Sequence, residues 1–79
     1  MSSEQVYAKL KENDLRITKQ RKIIVDVILQ NDHASCKDIC NKVMSKDSTV
    51  GTATVYRMIR LLEDIEVVKR IDMIEVIKD

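Results

Sequence analysis

Between Thr49 and Ile65 the apolar residues recur every three or four positions, and this rhythm restricts the chain more than any other feature. On a wheel of roughly 100° per residue, Val55, Met58, Leu62 and Ile65 form one stripe, flanked by Ile59 and Leu61. Thr52, Ala53, Tyr56, Arg57 and Arg60 share the opposite arc. A helix with two such faces buries the stripe against other elements and leaves the arc for solvent or a partner. The arc carries a small side chain, hydroxyls and two guanidiniums, groups suited to phosphates and base edges. The stretch therefore reads as the second, recognition helix of a helix-turn-helix.

What surrounds it must be small. Seventy-nine residues make one domain with a modest core. Aromatic content is 3% against 44% hydrophobic, so that core must be Ile, Val, Leu and Met. No apolar run approaches the roughly 18 residues of a membrane span, and no membrane partner is expected. The opening MSSEQVYAKLKEN has no apolar signal core, so the expected compartment is the cytoplasm.

Net charge is only +1, yet the charges are not evenly spread. Arg16, Lys19, Arg21 and Lys22 fall in one short segment, Arg57 and Arg60 on the exposed arc, and Lys69 and Arg70 beyond it, while Glu63, Asp64 and Glu66 gather apart. A nearly neutral domain can still present a basic face, although most such clusters are simply solvated surface. Cys36 and Cys40 lie four apart on one helical face, with no second pair to complete a zinc knuckle and poor geometry for a disulfide. They read as core-facing thiols.

In chain order, Ser2 or Ser3 caps a first helix through about Lys11, with Val6, Tyr7 and Leu10 on its apolar face. Glu12-Asn13-Asp14 is a turn. Thr18 caps a second helix that ends near Gln30 to Asp32. The β-branched run Ile23 to Leu29 also fits a strand, but the cap and the i, i+3, i+4 spacing of Ile24, Val27 and Ile28 favour helix. Ser35 caps a third helix with Ile39, Cys40 and Val43 inward and a break over Ser45 to Thr49. Gly51 either caps the fourth helix, admits a phosphate close to it, or merely punctuates the turn. After Ile65 the period shortens to two: Val67 to Ile71 and Met73 to Ile77 are strand-like, with Asp72 as the turn. The fold class is thus mostly α with a small β-hairpin: four helices and a short wing, a winged helix-turn-helix over residues 1–79.

Three segments resemble the N-terminal DNA-binding domain of the ferric uptake regulator (Fur) family of bacterial metal- and peroxide-responsive repressors. Leu15-Arg16-Ile17-Thr18-Lys19-Gln20-Arg21 looks like the family's L-[RK]-[VI]-T-x-x-R. His33-Ala34-Ser35-Cys36-Lys37-Asp38-Ile39 looks like H-x-S-x-x-[DE]-[LI], and Gly51-Thr52-Ala53-Thr54-Val55-Tyr56-Arg57 contains the ATVYR signature. Together they cover most of Leu15 to Arg70. The resemblance implies a major-groove helix whose Tyr56 packs on a thymine methyl and whose Arg57 meets phosphate or guanine. It implies that Arg16 enters an adjoining A/T-rich minor groove, with Thr18, Lys19, Arg21 and Arg60 as further DNA contacts. Thr52 and Thr54 are expected at phosphates, Thr54 lying nearer the apolar side.

His33 resembles a family histidine that helps ligate the regulatory metal. The remaining ligands would come from a C-terminal dimerisation domain that these residues do not include. No cofactor is therefore expected on this chain alone, and Fe, Zn or Mn only alongside that domain. The implied partner is an A/T-rich pseudo-palindromic duplex held by a homodimer of the intact protein, the isolated domain being monomeric. The alternative is a winged-helix protein-protein interaction module without metal sensing, which the low net charge suits and the polar arc does not. Nothing reads as an enzyme: there is no nucleophile-base pair and no phosphate-cradling glycine loop.

Overall fold

In the computed structural model, which describes residues 1–70 and 74–77, four helices precede a two-stranded antiparallel hairpin. The helices are α1 (Ser3–Glu12), α2 (Lys19–Gln30), α3 (Cys36–Lys46) and α4 (Thr52–Asp64), and the strands β1 (Val68–Arg70) and β2 (Ile74–Val76). This is the expected architecture. The turn assigned to Asp72, and with it the length of the wing, lies outside the described residues.

The caps explain where the first three helices begin. The Ser2 hydroxyl accepts from the Gln5 N–H at 3.3 Å while the Ser2 N–H donates to Gln5 Oε1 at 2.8 Å, a complete capping box. Thr18 accepts from the Arg21 N–H at 3.1 Å and Ser35 from the Asp38 N–H at 3.1 Å. The strand alternative for Ile23 to Leu29 is thereby settled in favour of helix: Ile24, Val25, Val27 and Ile28 are all buried on α2.

Two helices end in the same way. Asp14 (φ 58°) and Glu66 (φ 62°) adopt left-handed backbone just past α1 and α4. The following residues bond back across the turn, Leu15 N–H to Leu10 O at 2.9 Å and Val67 N–H to Leu62 O at 2.8 Å. These are Schellman closures, which satisfy the last carbonyls and fold an apolar residue back under the helix. Leu62 and Val67 are both buried.

The stretch from Thr49 is not helical throughout. α3 runs on to Lys46, past the break expected at Ser45, and α4 starts only at Thr52. The Asp47 carboxylate accepts from both the backbone N–H and the hydroxyl of Thr49, which stabilises a turn instead. Val50 is then carried into the core. On α4 the stripe is centred on Val55, Met58, Ile59 and Leu62; Ile59 is fully buried rather than flanking, and Ile65 is the half-exposed C-cap. Full burial is worth roughly 1.5–3 kcal/mol for each such side chain.

These residues join Val6, Leu10, Ile24, Ile28, Ile39 and Val43 in one aliphatic core. No polar or charged residue is buried among the described residues. The hairpin pairs Val68 with Val76, Lys69 with Glu75 and Arg70 with Ile74. On its far side β2 is bridged to Ala34, by His33 N–H to Ile74 O and Ile74 N–H to Ala34 O, each 2.9 Å. The wing is therefore tied to the α2–α3 loop as well as to α4.

Candidate nucleic-acid interface

The arc read from the sequence is a surface of the molecule: Thr52, Ala53, Tyr56, Arg57 and Arg60 are all exposed on α4. Tyr56 is 40% exposed, high for a large ring. Burial pushes the Cys40 thiol above its ordinary pKa, as does the neighbouring Cys36, while a hydrogen bond from Tyr56 acts in the opposite direction. Cys40 is core-facing as expected, whereas Cys36 is only half-buried.

Beside this arc an open cleft of about 430 Å³ separates the N-terminal end of α2 from α4. Arg16, Thr18, Arg21, Thr54 and Arg57 line it, over a floor that includes Ile24, Met58 and Leu61. Five of the nine residues proposed from sequence are thus gathered at one cleft. Thr52, Tyr56 and Arg60 continue the surface along α4; Lys19 is exposed in the first turn of α2. Thr54 is half-buried, in keeping with its place nearer the stripe. The Thr18 oxygen already accepts a hydrogen bond, so toward a phosphate it acts as donor.

The helix starts add to the field. Neither α2 nor α4 has an acidic residue in its first turn, whereas α1 has Glu4 and α3 has Asp38. Gly51 is the N-cap of α4 and offers no side-chain cap. Its φ of −79° suits any residue, and a Cβ there would meet nothing within 4 Å. The fold itself does not require glycine at this position. Neither helix places a carboxylate of its own in its first turn, which favours anions there, and Asp47 lies close enough to Lys19 of α2 to feel its charge.

With that geometry established, sequence comparison decides the family: the ferric uptake regulator family model matches residues 12–77. The chain belongs to the ferric uptake regulator family. It is 35% identical over 71 residues to the ferric uptake regulation protein of Bacillus subtilis, covering 87% of this chain and 48% of that protein. Against the Synechococcus elongatus ferric uptake regulation protein it is 32% identical over 72 residues, covering 86% and 48%. The chain therefore spans about half the length of these curated relatives. Among solved structures it superposes on GAS PerR in its Zn-Zn form with a TM-score of 0.84 at 27% identity, over 94% of this chain and 52% of that one. The Helicobacter pylori ferric uptake regulator, a protein with three functional metal binding sites, gives 0.75 at 26%, over 92% and 53%. A zinc-bound manganese uptake regulator shares the fold with a TM-score of 0.84 at 23% identity, over the whole of this chain and 63% of its own.

His33 stands away from the cleft, at the wing. It is 59% exposed with a left-handed backbone (φ 67°). Its Nδ1 lies 3.2 Å from Glu75 Oε1 and its Nε2 3.7 Å from Asp32 Oδ2. The two carboxylates address different ring nitrogens, so they do not converge on one point. Among the described residues, no group of three or more His, Cys, Asp or Glu is placed to hold a metal ion. These residues alone do not fit the metal centre of a family regulator.

Asp32 and Glu75 were not singled out by sequence, and Lys69 only as one of the basic residues beyond α4. Asp32 Oδ1 accepts from the Val76 N–H at 2.9 Å, and Lys69 Nζ pairs with Glu75 Oε2 at 3.3 Å. Only the hairpin register places Lys69 opposite Glu75, and a turn without Gly or Asn-Gly does not declare its register.

Proposed function

We propose that this chain is the sequence-specific DNA-binding domain of a Fur-like bacterial transcriptional regulator, a metal- or peroxide-responsive repressor. The observation that carries this reading is the single surface that joins the exposed Tyr56/Arg57 arc of α4 to the cleft lined by Arg16 and Thr18. α4 enters the major groove. Tyr56 packs on a thymine methyl and Arg57 meets phosphate or guanine, while Arg16 reaches the adjoining minor groove. Thr18, Lys19, Thr52, Thr54 and Arg60 hold the backbone between and beside the grooves.

The family's regulators are not enzymes, and the surface fits that role. Metal sensing by Fe, Zn or Mn is proposed only together with a second domain of the kind the full-length family members carry. In that setting His33 contributes one ligand. Two copies then span an A/T-rich pseudo-palindrome, and linking two half-sites raises the affinity of each copy. No described helix is long and apolar enough to cross a membrane.

Two substitutions test the assignment. Tyr56→Ala should relax discrimination of T from C at one position while leaving the salt dependence nearly unchanged. Arg57→Ala should weaken binding and, for a phosphate contact, flatten the plot of log K against log salt by about 0.9. Footprints identical to that of the unsubstituted chain in both variants would remove these roles.

A further inference from the structure

We propose that Arg21 is a positioning residue that delivers Arg16 to the DNA, rather than a DNA contact in its own right. The inference rests on the DNA-binding reading above. The Arg21 guanidinium donates to the backbone carbonyl of Arg16 at 2.7 Å. Its own backbone N–H donates to the Thr18 hydroxyl oxygen at 3.1 Å. Arg21 therefore grips the three residues before α2 at both ends, and the short first bond is charge-assisted.

Those three residues lie outside any helix, and Thr18 is extended, at φ −105° and ψ 164°. Side chains in such a segment alternate. Leu15 and Ile17 are half-buried against the core, and Arg16 and Thr18 are exposed. The inward pair fixes which way Arg16 faces. It does not fix how far the peptide stands off the start of α2, and the Arg21 bond does. Arg21 is half-buried in the cleft wall, whereas Arg16 and Arg57 are exposed. An arginine bound to a neighbour's carbonyl, and less exposed than two others at the same cleft, is poorly placed to follow a phosphate.

A cation that reads groove width gains most when its backbone is held in place before binding, because little ordering is left to lose. The geometry thus divides the two arginines of the L-R-I-T-K-Q-R segment into one that reads and one that holds.

The test uses the chain carrying Arg21→Gln, Arg16→Ala, both together, and Arg21→Lys. Without DNA, amide relaxation should show Arg16 to Thr18 loosened in Arg21→Gln while α4 is unchanged. With an A/T-rich duplex, Arg21→Gln should lose affinity by about the factor that Arg16→Ala loses. The double variant should be no weaker than Arg16→Ala alone, and Arg21→Lys, which keeps one donor in reach, should recover most of the loss. Equal losses from Arg21→Gln with and without Arg16, with a salt slope reduced by about 0.9, would make Arg21 a direct phosphate contact and overturn the proposal. Unchanged order at Arg16 to Thr18 would overturn it equally. Failure of the unsubstituted chain to bind any duplex would instead count against the DNA-binding reading, and the relaxation measurement would still decide what Arg21 holds.

Discussion

Single residues on α3, on α4 and in the turn between them carry consequences that can be measured without DNA. Cys40 is buried with its thiol pKa pushed up, mainly by burial, while Cys36 is half-exposed. Thiolate is the reacting form, so labelling near neutral pH should modify Cys36 first and Cys40 much later. Mass spectrometry on a Cys36→Ser variant should then show only the slow step; two equally fast sites would contradict the packing. Asp47 shows the opposite shift. Its hydrogen bonds from Thr49, the hydroxyl first, hold its carboxyl below the ordinary carboxylate pKa. A depressed folded value means the interaction is present above the ordinary pKa and is lost as pH falls through the lowered one. Thr49→Val should move the Asp47 titration, followed by NMR, up toward the ordinary value. The outward position of Tyr56 was legible from the wheel alone. The effect of Tyr56 on the Cys40 thiol was not, because it depends on how α3 packs on α4, and no one-dimensional pattern encodes that packing.

At the scale of elements, the caps were the most legible feature. Ser2, Thr18 and Ser35 all make the bonds their positions announced. Thr18→Ala should cost about 1 kcal/mol of stability in denaturant melts. The closures were less visible, since Asp14 and Glu66 stand where glycine is usual. Glu66→Gly removes the left-handed penalty and should stabilise the chain by about 1 kcal/mol, less whatever the unfolded state gains in freedom. A loss of stability would show that the Glu66 side chain contributes more than its backbone costs. Gly51 caps α4, one of the roles read for it, whereas the periodic stretch drawn from Thr49 begins three residues before the helix, where the Asp47–Thr49 turn intervenes. Strand pairing was foreseen as a hairpin, but not the bridge from β2 to Ala34, a contact between segments some forty residues apart.

Across the whole molecule, a core without phenylalanine or tryptophan depends on tight aliphatic packing. Ile59, fully buried at the centre of the α4 stripe, should cost about 2–5 kcal/mol when cut to alanine. A 79-residue domain holds only roughly 4–12 kcal/mol in total, so that variant should lose a large share of its stability, seen as a much lower denaturant midpoint. Size bears on recognition too. The longest extent is 28 Å, short of the roughly 34 Å between successive major-groove half-sites on one side of a duplex. On the proposed DNA-binding role, one copy would read one half-site and a pseudo-palindrome would take two. The most direct measurement is the affinity of this chain for an A/T-rich pseudo-palindromic duplex, followed by fluorescence anisotropy from about 50 to 200 mM salt. Binding of two copies per duplex that weakens steeply with salt, and weakens further when the A/T flanks are replaced by G/C, is the expected result. No salt-sensitive binding, even at high protein and low salt, would contradict the assignment of the α4 arc and its cleft to DNA.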